Sequence, residues 1–383
     1  MNAITQNWSD IFSRPADSHY DGMDELLAVA EQAMKESREI KASSDKISFS
    51  HNPDSGFCID IEGHSPIPIA QLALTQSSSM SKIQTQMLER LHKLGHDNLV
   101  VENLNALFPK TTDQRQVLVR DTFGQLGLEG SEARAVNGSE YSRLWDFEVF
   151  EEADDWLTPR SFSPAIPKMR RAGAVRNQLM WNLQSALFRG DQCSFGFFFA
   201  DKDLSAQSDH LGGMKPGIMV WNSEVGARSF GFHTFYYHEQ SGSIIVWTPS
   251  NHKRKRFVHR GNIRKAFGEY MRTLEDVADK YEERYQTDMD LFTLAATTPF
   301  APTEDAAMEK LREKFKMSVP NSKAVMAATK MTHNMFGDDL SVWRMALAIA
   351  YEAGQTGRAE SLVDETLVAT KMMRTMMAGQ ITA

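Results

Sequence analysis

Apolar and polar positions alternate in places along the middle of the chain, between residues 194 and 248. The segment 229–237 reads Ser-Phe-Gly-Phe-His-Thr-Phe-Tyr-Tyr, and Ile-Ile-Val-Trp follows at 244–247. A period of two places successive side chains on opposite faces of a strand. Gly242 lies in a turn between these segments, and glycine takes positive φ angles without steric cost. We therefore predict consecutive, mainly antiparallel strands over 194–248, with Gly242 in the turn between the last two.

Shorter periodic segments surround this region. Period-two patterns predict a hairpin of strands at 46–50 and 57–61, and further strands at 116–120 and 133–136. Apolar residues recurring every three to four positions predict helices instead. Those helices span residues 24–40, 79–94, 99–108, 146–157, 175–187 and 263–285.

The last eighty residues carry only helical patterns. Thr303 is a candidate N-cap for a helix over 304–316, and further helices are predicted over 321–331, 341–353 and 359–377. The proline-bearing segment 297–303 has the composition of a linker. We predict an N-terminal arm and helix (1–44), an α+β core domain with an antiparallel sheet and flanking helices (45–287), and a small all-helical C-terminal domain (303–383).

Composition restricts the class of protein. The chain has 383 residues, of which 42% are hydrophobic and 24% charged, as in ordinary soluble globular proteins. No apolar run is long enough to span a membrane, no secretory signal is visible, and Cys58 and Cys193 do not suggest a disulfide scaffold. We therefore expect a cytoplasmic protein. The net charge of −8 opposes nonspecific nucleic-acid binding, so any such binding requires a local patch.

Two local patches of positive charge interrupt this acidic chain. We call them the upstream basic cluster (Lys168, Arg170, Arg171, Arg176) and the basic run (Lys253, Arg254, Lys255, Arg256, Arg260, Arg264, Lys265). Cations beside an aromatic-rich sheet are typical of a surface that follows a phosphate backbone. Trp221, Phe235, Tyr237 and Trp247 would then stack bases, or else belong to the core. The alternative is that the basic run is a solvated connector.

Catalytic and metal-binding motifs are missing from the sequence. It has no GxSxG, HExxH, paired CxxC or phosphate-binding glycine loop, so it gives no positive reason for an enzyme or a cofactor. His92 and His96 are four residues apart, but a metal site needs more ligands. The acidic segment 146–157 could hold a divalent ion or form a solvated helix face. The methionine-rich C-terminal tail could fill a core or contact a partner.

Three segments resemble a family of phage- and plasmid-encoded proteins that carry a domain of unknown function. They are the helix at 80–94, the segment 133–149 with Tyr-Ser-Arg-Leu-Trp-Asp at 141–146, and Val-Trp-Asn-Ser-Glu-Val-Gly at 220–226 leading to 252–263. The resemblance covers about residues 45 to 285. It implies a mobile-element protein and supplies no reaction or catalytic residues.

These observations favour a non-enzymatic, phage-type protein that binds single-stranded nucleic acid, most simply single-stranded DNA, in recombination or annealing, and that can form a homo-oligomer. Two other functions stay open. One is a phage structural or assembly protein acting through its methionine-rich tail. The other is a metal-dependent nuclease using Glu148, Asp154 and Asp155.

Overall fold

The computed structural model describes residues 16–121, 130–166, 185–247, 256–257, 259–331, 339–355 and 359–378, with only the backbone of 256, 257 and 331. The strands are β1 (Ser18–Tyr20), β2 (Ser37–Ser43), β3 (Ile47–Asn52), β4 (Gly56–Ile61), β5 (Ile67–Pro68), β6 (Gln114–Asp121), β7 (Ser131–Gly138), β8 (Phe162–Ser163), β9 (Leu187–Arg189), β10 (Ser194–Ala200), β11 (Met214–Asn222), β12 (Phe230–His238), β13 (Ser243–Val246) and β14 (Arg256–Phe257). The helices are α1 (Met23–Lys35), α2 (Gln71–Met80), α3 (Thr85–Lys93), α4 (Asp97–Leu107), α5 (Asp146–Leu157), α6 (Ile263–Asp279), α7 (Tyr281–Thr297), α8 (Glu304–Glu313), α9 (Val319–Met331), α10 (Val342–Gly354) and α11 (Ala359–Met377).

A large antiparallel sheet lies at the centre of the fold. Its strands run in the order β1-β9-β10-β11-β12-β13, with β8 paired to β10 and β14 paired to β12. Gly242 has a φ of 70° in the turn between β12 and β13. The predicted antiparallel strands over 194–248 are therefore confirmed, and so is the α+β class.

Both faces of this sheet are covered. All seven residues of β10 are buried, and Phe198 packs towards α1, α5 and α6, whereas Phe197 and Phe199 pack with residues of α11. Strands covered on both faces are apolar at nearly every position. This explains why β10 has a continuous apolar sequence without a clear alternation.

Two three-stranded sheets, β2-β6-β7 and β3-β4-β5, form a second layer with α2, α3 and α4. The predicted hairpin at 46–61 and the helices at 99–108 and 146–157 are confirmed within a few residues. The prediction of one helix over 24–40 was wrong at its end. Residues 37–43 form β2, because Ile40 and Ala42 alternate into the core against β6.

The predicted helix over 79–94 was also wrong in extent. Residues 71–80 form α2, α3 begins at Thr85, and Lys82 lies between them with a left-handed φ of 56°. A left-handed residue cannot continue a right-handed helix. The predicted helix over 263–285 is divided in the structure, because α6 ends at Asp279 and α7 runs from Tyr281 to Thr297.

The C-terminal helices pack directly on the large sheet. Trp343 of α10 and Met372 of α11 share one hydrophobic cluster with Tyr236 and Trp247 of the sheet. In the predicted linker, Phe300 is buried and its N–H donates to the carbonyl of Leu340 at 2.7 Å. The helical character of this region is as predicted, and its separability from the core stays a prediction that the shared cluster disfavours. Among the described residues, no helix has the length and apolarity of a membrane span.

Candidate functional site

Three segments distant in sequence meet at one cleft. They are residues 139–145 after β7, residues 223–229 between β11 and β12, and residues 259–262 before α6. Tyr141 and Arg260 form an antiparallel bridge, and the N–H of Ser142 donates to the carbonyl of His259 at 2.9 Å. The cleft has a volume of about 700 Å³.

A buried ion network lies behind this cleft and joins β6 to the large sheet. One carboxylate oxygen of Glu224 accepts from the guanidinium of Arg120 at 2.7 Å and from that of Arg189 at 2.7 Å. Burial raises the pKa of the Glu224 carboxyl, but the two guanidinium groups outweigh burial and hold that pKa below its usual value. Glu224 is therefore ionised and binds the two layers together.

A second buried acid completes the network. Asp146, the first residue of α5, accepts from the Ser194 hydroxyl at 2.6 Å and from the Asn222 amide at 2.9 Å. The Nε of Arg189 lies 3.6 Å from its carboxylate. Burial raises the pKa of Asp146, and the charge of Glu224 adds to the shift. The network is buried, and Ser194 and Asn222 satisfy the Asp146 carboxylate by hydrogen bonds. Its role beneath the cleft is therefore structural.

Tyr141 forms part of the cleft wall and is held in place by its hydroxyl. That hydroxyl lies 3.1 Å from the carbonyl of Ser223 and 3.2 Å from that of Glu224. The guanidinium of Arg143 lies 5.0 Å from the ring centroid and also donates to the Glu224 carbonyl. Burial raises the pKa of the Tyr141 phenol, so the ring stays neutral. The loop 139–145 is thus fixed to the loop 223–229.

His259 also contacts the Tyr141 ring. Its ring stacks on Tyr141 with centroids 5.3 Å apart and planes at 21°, and its Nδ1 lies 3.2 Å from the carbonyl of Ser142. Burial lowers the pKa of His259 to about 4, so the imidazole is neutral near pH 7. Because a carbonyl only accepts, Nδ1 carries the proton and Nε2 is an acceptor. Nε2 is buried and has no hydrogen-bond partner among the described residues.

Asn137 also lines the cleft, and its amide has a second buried acceptor without a partner among the described residues. Its Nδ2 donates to the carbonyl of Val225 at 3.3 Å, which fixes the orientation of the amide because that carbonyl can only accept. Its Oδ1 is buried and makes no hydrogen bond within the described part of the chain. Gly226, with a φ of 78°, lets the loop approach closely, since a Cβ there would lie 2.9 Å from both Asn137 and Tyr141.

The charged residues on the cleft wall have both signs. Arg115 and Arg260 make no ion pair with any described residue, whereas Arg228 is paired with Glu360 and Asp364 of α11. The carboxylates on the wall are those of Asp113 and Glu140, both exposed. The unpaired cations are therefore Arg115 and Arg260, and Arg260 is a predicted site residue.

The other predicted cations fall into three groups. Lys168, Arg170, Arg171, Arg176, Lys253, Arg254 and Lys255 lie outside the described residues, and of Arg256 only the backbone, in β14, is described. Arg264 forms an ion pair with Glu148. Lys265 is exposed, and its side chain makes no ion pair with a described residue. Of the predicted cations, the structure thus brings Arg260 to the cleft.

The aromatic residues proposed to stack bases belong to the core. Trp221, Phe235, Tyr237 and Trp247 are at most 3% exposed. They lie on a sheet that helices cover on both faces, so no base can reach them. The methionine-rich tail is likewise mostly core, because Met372, Met373 and Met377 are buried against the sheet and the neighbouring helices.

The residues considered for metal binding do not gather around one point. Glu148 caps α5 by accepting from the N–H of Trp145 at 3.1 Å, and Asp154 accepts from the Thr158 hydroxyl at 2.8 Å. His92 contacts Asp97 at 2.6 Å, an acidic partner that the sequence reasoning missed. Within the described residues, no group of three or more metal-ligating side chains forms a site.

Sequence reasoning also missed Arg120, Arg189, Glu224 and Asp146 as one network. The available signal was Arg120 itself, a charged residue that directly follows Val-Leu-Val in a buried strand. A buried charge requires a partner of opposite sign, but the sequence does not say which.

Comparison of the chain with models of protein families, with curated proteins and with solved structures gives no match.

Proposed function

We propose that this chain binds nucleic acid non-enzymatically through phosphate contacts, and that its ligand is single-stranded DNA. The observation that carries the proposal is the cleft at the end of the basic run. Arg115 and Arg260 lie on its wall without a carboxylate partner among the described residues, and Lys265 is exposed on α6, five residues after Arg260. Unpaired guanidinium groups are preferred ligands of phosphate oxygens.

The size of the cleft favours single strands over duplexes. A volume of about 700 Å³ is in the range of pockets that hold small ligands, commonly about 300–1,000 Å³. An unpaired nucleotide can enter such a cleft, whereas a duplex is too wide. With the sheet aromatics buried, phosphate contacts replace the stacking platform as the main source of affinity.

The test measures binding to single- and double-stranded oligonucleotides by fluorescence anisotropy at a series of salt concentrations. Phosphate contacts release counterions, so we expect the log–log slope of affinity against salt to be about −0.7 per contact on single strands. The double variant Arg254→Ala/Arg256→Ala should bind all sequences more weakly and flatten the slope by roughly one to two units. Arg260→Ala should flatten it by about one.

The matched control is Arg90→Ala/Arg312→Ala. It removes the same charge from two exposed positions on α3 and α8, neither of which lines the cleft. We expect this variant to keep the parent affinity and slope. If it weakens binding as much as Arg254→Ala/Arg256→Ala, the effect is one of net charge. A different result would refute the proposal itself. If Arg254→Ala/Arg256→Ala binds single strands as tightly as the parent at every salt concentration, the basic run is a solvated connector. The assembly-protein hypothesis then replaces the nucleic-acid-binding proposal.

The proposed place in recombination or annealing has a separate test. Two complementary labelled strands should anneal faster in the presence of the protein, and without hydrolysis of either strand. Mg²⁺-dependent shortening of the strands would instead support the nuclease hypothesis.

A further inference from the structure

We infer that the C-terminal helices carry a binding groove for a small organic cation, namely a primary amine with an apolar body. The groove is formed by residues of α9, α10 and α11 and by the connection between α8 and α9, and it has a volume of about 590 Å³. It shares no lining residue with the cleft at Arg115 and Arg260. The inference therefore goes beyond the proposed function.

Apolar side chains from four segments line the groove. Those of Phe315, Val325 and Ile349 are buried, and those of Met317 and Val368 are half-buried. Pockets that hold small ligands commonly have volumes of about 300–1,000 Å³ and combine an apolar lining with a few polar groups. The size and lining of this groove therefore fit a ligand with an apolar body of small-molecule dimensions.

Two carboxylates give the groove its charge. Glu352 of α10 and Glu365 of α11 are half-buried, and the carboxylate of neither makes a hydrogen bond or ion pair with a described residue. Burial raises the pKa of both carboxyls, and the charge of Glu352 raises the pKa of Glu365 further. A cation beside both carboxylates relieves this repulsion, so the occupant that complements the groove is positively charged.

The end of α10 adds to the negative potential. Glu352 lies in the last turn of α10, and Gln355, which follows the helix, also lines the groove. A helix C-terminus carries partial negative charge, and the last turn of α10 has no basic residue to offset it. The one positive charge on the described wall belongs to Lys316, which is exposed and pairs with neither glutamate.

The lining also indicates which kind of cation fits. Within the described residues, no third metal-ligating side chain joins the two glutamates, and apolar side chains are not ligands for a metal ion. An ammonium group carries three N–H donors, so it can serve two carboxylates at once. Its hydrocarbon body then contacts the apolar wall, where burial of each CH₂ group adds affinity.

The experiment compares ligands of one hydrocarbon body by NMR titration of the full chain near neutral pH. The ligands are hexylamine, hexan-1-ol and hexanoate. We expect hexylamine to bind at least about tenfold more tightly than hexan-1-ol, because its hydrogen bonds to the carboxylates are charge-assisted. Hexanoate should bind more weakly than the alcohol. Methylamine should bind at least about tenfold more weakly than hexylamine, because it lacks the apolar body.

Two variants test the carboxylates. Glu352→Gln and Glu365→Gln keep the side-chain size and remove one charge each, so each should weaken hexylamine binding about tenfold and leave hexan-1-ol binding unchanged. The matched control is Glu313→Gln, at an exposed position on α8 outside the groove, and it should keep the parent affinity. Thermal unfolding checks the fold, and the comparison of amine with alcohol needs no variant.

Several results would overturn the inference. Equal binding of hexylamine and hexan-1-ol would exclude a role for the charge, and unchanged hexylamine binding in both groove variants would place the amine elsewhere. If Glu313→Gln weakens binding as much as the groove variants, the effect is one of net charge. If N-acetyl-lysine methylamide binds more tightly than hexylamine, the occupant is a lysine side chain of a protein partner and not a free amine. None of these results bears on oligonucleotide binding at the separate cleft.

Discussion

Replacing Glu224 by Gln should destabilise the fold, because this one carboxylate compensates two buried guanidinium groups. Its side chain is 6% exposed, and those of Arg120 and Arg189 are 11% and 14% exposed. A guanidinium nitrogen of Arg120 and one of Arg189 each lie 2.7 Å from the same carboxylate oxygen of Glu224. Gln keeps the size and one acceptor oxygen, so the variant removes the charge and leaves the packing nearly unchanged.

The magnitude follows from the burial of the pair. Removing one partner of a buried ion pair costs about 3–5 kcal/mol, against about 0–1 kcal/mol for an exposed pair. Asp146 offsets part of this cost. The charge of Glu224 is one cause of the raised pKa of Asp146, so that pKa falls in the variant and the ionised Asp146 compensates Arg189. We therefore expect a loss of about 3 kcal/mol at pH 7, at the lower end of that range.

Urea unfolding followed by tryptophan fluorescence measures this loss. The control is Glu62→Gln, which removes a carboxylate that is 65% exposed and pairs with Lys46, and it should change the unfolding free energy by less than about 0.5 kcal/mol. Asp146→Asn should cost about 1–2 kcal/mol more in the Glu224→Gln background than in the wild type, since no acid then remains. If Glu224→Gln costs no more than the control, the network does not hold the two layers together.

Four further predictions concern stability. Gly217→Ala should cost at least about 2 kcal/mol, because its Cβ would lie 2.3 Å from the Phe235 ring and 2.7 Å from a backbone oxygen of Phe198. Gly268→Ala on α6, with open space around it, should be neutral or slightly stabilising, and equal melting temperatures for the two variants would contradict the packing argument. Thr303→Ala should cost about 1 kcal/mol in thermal unfolding and Thr303→Ser much less, because the Thr303 hydroxyl caps α8 through the N–H of Ala306 at 3.2 Å; equal losses would exclude that cap. Burial lowers the pKa of His238 to about 4, below the unfolded value near 6.5, so the unfolded state binds more protons between these values and stability is lost as pH falls through this window, by about 3 kcal/mol at pH 4. His259 adds a loss in the same window, and an unfolding free energy that stays constant from pH 7 to pH 4.5 would refute both assignments. In limited proteolysis, the burial of Phe300 should protect residues 297–303, whereas an independent helical domain requires first cleavage there.

Much of the secondary structure follows from local patterns. The helix at 146–157 was predicted to the residue, and the strands over 194–248 follow from their periodicity and from Gly242. The error at the end of the first helix has a non-local cause. Residues 37–40 continue a helical pattern, yet pairing with β6 makes them a strand, since contacts with a partner outweigh a weak local preference.

The candidate site depends on contacts that no local pattern contains. Tyr141 and Asp146 lie more than 70 residues before Asn222 and Glu224, and Arg120 and Arg189 join them from two different sheets. The sequence marks these residues only as polar positions next to apolar runs. The unpaired acceptors of Asn137 and His259 are likewise visible only once their other hydrogen bonds are known.

The sequence alone determined the α+β class and the helical C-terminal region, because periodicity is a local property of the chain. The tertiary structure decided that the aromatic residues of the sheet are core and not a stacking surface. Helices cover both faces of the sheet, and this depends on how distant segments pack. It also decided that Arg260 and His259, which precede α6, meet Arg115 of β6 and Asn137 of β7 at one cleft, because only the tertiary fold brings these segments together.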